Sequence, residues 1–244
     1  MTGLALLILF LTALIPGLVI IYYPGARKPD IKYMLVFAGA FIFSITMVHL
    51  LPELMSVSTD PKLVGIFVLV GFIMQMLLDF ITSGVEHGHM HNHSQHGRIS
   101  PIILMSGLCL HAIMDGSILV HPGHQHGAMG NSGLMFGIVL HKIPEAIALI
   151  AVLSFVYKNK LTLLAFLIVF SLASPLGLLL SEMLSHYELL GKQGFILLFA
   201  IVSGNLIHIS TTIYFETSPD HSFHKKRAII GLLGTLLAIL TEIL

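Results

Sequence analysis

Charge is scarce in this sequence: Asp, Glu, Lys and Arg make up 10% of 244 residues, where a soluble domain carries about a quarter. That scarcity excludes an ordinary soluble enzyme. Twelve Lys and Arg balance twelve Asp and Glu, so the chain lacks the positive field that nucleic-acid binding needs. Cysteine occurs once, as Cys109, which excludes an internal disulfide and a thiolate metal cage built from one chain. What is abundant is apolar surface, 56% of residues with a mean hydropathy of +0.94, and histidine, at fifteen residues. Each membrane-crossing helix needs about 20 apolar residues. The composition therefore predicts an all-α polytopic membrane bundle, a single domain over 1–244 with no separate soluble unit.

Long apolar runs broken by polar or Gly/Pro clusters predict eight helices, at about 4–23, 33–55, 63–83, 99–120, 133–157, 161–185, 194–215 and 227–243. The first follows a start without Arg or Lys and has no small-residue cleavage site, so it reads as a retained helix and not a removed signal peptide. Cytoplasmic links collect Lys and Arg. Arg27, Lys28, Lys32, Arg98, Lys158, Lys160, Lys225, Lys226 and Arg227 all fall in links one, three, five and seven. The alternate links and the tails hold only Lys62 and Lys192, and Lys142 lies inside a span. This asymmetry predicts an even number of spans with both termini outside the cytoplasm; the small size and the lack of a long leader suit a bacterial inner membrane.

An ionisable group at mid-bilayer costs about 2.5 to 3.5 kcal/mol on insertion scales, so such groups default to a functional reading. They concentrate in spans four and five. Span four holds His111, Asp115 and Gly116 in HAIMDG, and span five holds His141, Lys142, Pro144 and Glu145 in HKIPEA. In each, a histidine and a carboxylate stand four residues apart, on one helix face. Facing each other, the two helices would offer two imidazoles and two carboxylates, a donor set that suits a divalent transition metal. A lone His/Asp pair would also serve as a proton relay or an interhelical contact; duplication of the spacing favours metal. Two carboxylates neutralise a divalent ion, and metal loading is expected to compete with protons. Pro144 cannot donate to the Leu140 carbonyl, which predicts a kink beside the site, either static or part of a rearranging pathway. Gly116 would allow close helix approach around the ion or simply pack.

These strings resemble the ZIP (Zrt/Irt-like) family of divalent-metal transporters. HxxxDG in span four and HKxPEA in span five are the specific matches. HLLPEL at 49–54, SPLG at 174–177 and SGNLIHI at 203–209 are weaker ones. The resemblance implies eight spans in a 3+2+3 arrangement, the first and last three forming an inverted repeat around the fourth and fifth. It also implies movement of zinc or a similar ion toward the cytoplasm through a metal site at His111, Asp115, His141 and Glu145. Some members hold a second ion with an Asn, an Asp and a Glu at positions that here read Ala112, Lys142 and Ser174, so a second site is expected to be absent. An ammonium at Lys142 would repel a second cation and would be free to pair with a site carboxylate once the metal leaves; its alternative is a structural or snorkelling residue. By the same resemblance His49 and His208 lie near the pathway. Glu53, at the outer end of span two, would draw cations in or be an ordinary interfacial charge, and Asp79 is equally open.

The third link, at about 84–98, contains His87, His89, His91, His93 and His96, a composition expected of a metal-binding segment on the cytoplasmic side, acting as buffer or load sensor. His121, His124 and His126 form a second cluster on the outer side, placed to capture arriving metal. Either would otherwise be a plain hydrophilic link. The ligand types admit Zn2+, Fe2+, Mn2+, Co2+ and Cd2+ as transported substrates, with no permanently bound cofactor. The expected partners are that ion and the lipid bilayer, and a homodimer is compatible with the sequence. Two rival functions use the same ligands. An intramembrane zinc hydrolase needs a spare general base, and no HExxH string is present. A metal exporter differs only in direction, which motifs do not encode.

Overall fold

The computed structural model describes residues 2–23, 32–82, 100–120, 132–216 and 225–243. Among them the secondary structure is helical throughout. The elements are α1 (Thr2–Tyr22), α2 (Lys32–Ile45), a π-helical turn (Thr46–Leu50), α3 (Leu51–Val57), α4 (Pro61–Thr82), α5 (Pro101–Ser117), α6 (Ser132–Val156), α7 (Lys160–His186), α8 (Gly191–Glu216) and α9 (Lys225–Ile243). Because α2, the π turn and α3 run on as one rod, the described residues form eight rods.

Local chemistry sets several boundaries. The Asp60 carboxylate accepts from the backbone N–H groups of Lys62 and Leu63, and Pro61 opens α4 where its missing N–H costs nothing. Asn159 caps α7 in the same way by accepting from Leu161 N–H. Ser100 in extended conformation followed by Pro101 starts α5. Pro52 has no N–H to give the carbonyl one turn back, and just before it the helix widens: Leu51 N–H donates to Thr46 O, five residues back. Pro16, Pro144 and Pro175 lie inside α1, α6 and α7.

Six rods are long and apolar enough to cross a bilayer by length and composition: Gly3–Tyr22, Lys32–Val57, Pro61–Thr82, Gly133–Val156, Lys160–His186 and Gly191–Ile213. The other two fall short of the sequence expectation. α5 ends at Ser117, so its 17 residues reach about 26 Å at 1.5 Å per residue, under the hydrocarbon thickness of about 30 Å; residues 118–120 are in a turn and not in helix. α9 has Lys225, Lys226 and Arg227 at its start and Glu242 near its end, which dilutes its apolar length.

The outer surface is apolar, as lipid contact requires. On α4, Ile66, Leu69, Ile73, Leu77 and Phe80 are exposed, while Val64, Gly71, Gln75 and Thr82 are buried. That buried stripe packs on α8. α5 packs on α7, α1 on α7 and α6, and α2 on α9 and α8. Two apolar cores result: one joins α1, α5, α6 and α7 around Leu108, Leu149 and Phe170, and the other joins mainly α2, α3, α4, α8 and α9 around Phe41, Leu50 and Phe199. Helices α1, α5, α6 and α7 contribute to both.

Glycine sets the closest crossings. A methyl group on Gly116 would strike the Ser174 carbonyl oxygen, and one on Gly177 would strike that of Ile113. Gly71 and Gly204 stand in the same reciprocal relation to the carbonyls of Ile201 and Val68 across α4 and α8. Backbones approach this closely only where no side chain intervenes.

Candidate metal centre

The polar residues of α5 and α6 meet in the interior. His111 and Asp115 lie one turn apart on α5, His141 and Glu145 one turn apart on α6, and all four are at most 1% exposed. His111, His141 and Glu145 each place one ligand atom within 4.8 Å of the others. His111 Nε2 is 2.8 Å from Glu145 Oε1, and His141 Nε2 is 3.3 Å from the same oxygen. The two imidazoles meet edge to face, with centroids 5.7 Å apart. Asp115 stands beside this trio, its Oδ2 3.2 Å from His111 Nε2.

Lys142 completes the cluster. Although it follows His141 directly, it is 1% exposed and among the largest fully buried side chains. Its Nζ donates to Asp115 Oδ2 at 2.8 Å and lies 2.6 Å from Glu145 Oε2. Its other neighbour is the Phe170 ring on α7, 5.4 Å from Nζ to the centroid, a favourable seat for a desolvated cation. The ammonium thus bridges both carboxylates. With the imidazoles neutral, the cluster holds one formal negative charge in excess.

Asp115 Oδ1 and His141 Nδ1 are buried without a hydrogen-bond partner. Buried polar groups are nearly always satisfied, and unsatisfied nitrogen and oxygen donors that converge are what a divalent cation of the zinc type would take.

One contributor escaped the sequence reading. Asn205 of α8 is fully buried, and its Nδ2 lies 3.2 Å from His111 Nδ1. An N–H donated there leaves the neutral ring's proton on Nε2. A metal at Nε2 requires the other tautomer, with Nδ1–H donated to an oxygen. The same amide supplies that oxygen by turning over, since its Oδ1 has no partner in the present arrangement. Asn205 sits inside the weakly matching SGNLIHI string, but nothing local marks it as facing α5.

The remaining candidates fall into two other clusters. His49, on the π turn, places Nδ1 2.6 Å from Glu242 Oε2 on α9 and Nε2 3.5 Å from Glu53 Oε2 on α3. The carboxylates flank opposite edges of one ring, so they do not converge on a single point. Glu242 was not singled out in the sequence. His208 on α8 places Nδ1 3.2 Å from Asp79 Oδ2 on α4, and Gln75 donates to Asp79 Oδ1 at 3.1 Å. The Phe72 ring packs edge-on against His208. The histidines of the two links, His87, His89, His91, His93, His96, His121, His124 and His126, lie outside the described residues. Gly116 is a site of close helix approach, immediately after Asp115.

No protein-family model matches the chain. Among curated proteins it is 29% identical over 104 residues to "Zinc transporter YKE4" of Saccharomyces cerevisiae, covering 37% of this chain and 30% of the yeast protein. The matched segment therefore spans under a third of that relative's length. The likeness is a distant one, to a zinc transporter.

Proposed function

We propose that this chain is a ZIP-like carrier that moves zinc or a similar divalent transition metal toward the cytoplasm by alternating exposure of one site on α5 and α6. His111, Asp115, His141 and Glu145 are its ligands, and the eight rods take the 3+2+3 arrangement with an inverted repeat. The reading rests on one observation above all: imidazole and carboxylate donors from two helices converge in a fully buried interior. Burying such groups is costly unless a cation repays it. The partial likeness to a zinc transporter supports the same substrate class. His49, beside Glu53 and Glu242, and His208, beside Asp79, are read as groups near the pathway and not as ligands of the centre.

Each ligand has a definite task. The rings supply borderline-soft nitrogen, which favours zinc, iron, manganese, cobalt and cadmium over magnesium and calcium. The carboxylates supply countercharge for the dehydrated ion. Pro144, between His141 and Glu145, leaves the Leu140 carbonyl without its normal helical partner and gives α6 a point of flexure at the site. The basic links support an orientation with both termini outside the cytoplasm, and a bacterial inner membrane is the proposed location.

The test is flux in proteoliposomes with Zn2+, Fe2+, Mn2+, Co2+ and Cd2+, using wild type, Asp115→Ala and Glu145→Ala. Wild type accumulates zinc, and each variant folds but moves none. Undiminished zinc flux in both variants would refute the reading.

A further inference from the structure

The mechanism above needs the emptied site to return across the membrane, and the residue best placed to permit this is not a ligand. Without Lys142 the empty site would hold two adjacent carboxylates in a low-dielectric interior, and the loaded site would be neutral. Such a carrier would load well and return badly, because the empty form carries the full uncompensated charge. The Lys142 ammonium lies within 2.8 Å of both carboxylates, buried under Phe170. With it, the formal charge is minus one when the site is empty and plus one when a divalent ion is bound. Neither state is then a deep trap.

We infer that Lys142 is a tethered stand-in cation: it occupies the space between Asp115 and Glu145 when metal is absent, yields it to the incoming ion, and so makes return of the empty carrier possible. Geometry supports the exchange. Glu145 lies three residues from Lys142 on α6 and Asp115 opposite on α5, so a short withdrawal of one flexible side chain frees an oxygen of each carboxylate together. Its role is electrostatic competition with the incoming ion. It follows that Lys142 weakens metal binding while speeding net transport, a combination not expected of a ligand or a packing residue.

The inference rests on the carrier reading, and the experiment separates the two. Wild type, Lys142→Gln and Lys142→Arg are compared in three measurements: zinc affinity in detergent by calorimetry, zinc-for-zinc exchange in proteoliposomes, and net zinc uptake into zinc-free vesicles. Exchange needs only the loaded form to cross, whereas net uptake needs the empty form to return. Lys142→Gln is expected to bind zinc at least about tenfold more tightly, to retain exchange, and to lose most net uptake. Lys142→Arg, which keeps the charge, is expected to retain net uptake. The inference is overturned if Lys142→Gln binds zinc no more tightly than wild type, if exchange and net uptake fall in parallel, or if Lys142→Arg is as impaired as Lys142→Gln. A wild type that binds zinc yet neither exchanges nor accumulates it defeats the carrier reading instead, and the affinity comparison still tests whether Lys142 competes with metal.

Discussion

Gly116 on α5 and Gly177 on α7 each press against the other helix's backbone, so that a methyl group on either would collide with a carbonyl oxygen of its neighbour. Gly116 follows Asp115 directly, so the crossing point and the candidate site share one turn of helix. The contact ties the 17-residue α5 to α7. The helix lies along α7 at backbone distance, where dispersion contacts are dense.

Gly116→Ala and Gly177→Ala are each expected to push α5 from α7. Overpacking of this kind costs typically about 1 to 3 kcal/mol. Both variants should lower the thermal unfolding midpoint in detergent, and Gly116→Ala, beside Asp115, should weaken zinc binding as well. The measurement is unfolding followed with and without added zinc. Wild-type midpoints in both variants would rule out a backbone-to-backbone crossing at these two glycines.

Asn205 contacts His111 from a third helix and is expected to hold that ring in its metal-binding orientation. Groups that hydrogen-bond the far nitrogen of a metal-binding imidazole typically contribute about 10- to 100-fold in affinity. Asn205→Ala should lose affinity within that range and retain its fold. Asn205→Asp, which offers only oxygen to Nδ1–H, should bind at least as well as wild type. Calorimetric zinc titration of the two variants distinguishes an orienting role from simple packing, which would make both substitutions equally harmful.

Protons and metal compete for the same donors. On the proposed ligand set, zinc would bind the unprotonated nitrogens of His111 and His141 and the ionised carboxylates of Asp115 and Glu145, so loading expels whatever protons these groups carry. Affinity should therefore fall as pH is lowered from about 8 to about 5. Calorimetry in buffers of different ionisation enthalpy counts the protons released. An affinity that stays constant over this range would remove the coupling between metal and protons.

The repeated four-residue spacing in HAIMDG and HKIPEA made the central cluster legible, because in a helix that interval always sets two side chains on one face. Lys142 was legible on a different ground, the expense of burying charge in an apolar segment. Glu242 gave no such signal, since a carboxylate near a helix end is ordinary until its partner is seen. The helix lengths were only partly legible: apolar residues continue through Ile118 to Val120, yet the helix stops at Ser117. Hydropathy records what lipid will tolerate and does not record where the backbone turns.

By itself, then, the amino-acid order determined the chemistry available: helical apolar rods, few charges, and matched imidazole and carboxylate pairs on two of them. Such properties are local, set by periodicity and transfer cost within a few turns. Only the tertiary structure decided that Lys142 points at both carboxylates, that Asn205 reaches His111 from 94 positions along the chain, and that His49 meets Glu242. Those pairings depend on which helix faces meet and how closely glycine lets them approach. Packing of whole rods settles that, and no short stretch of sequence encodes it.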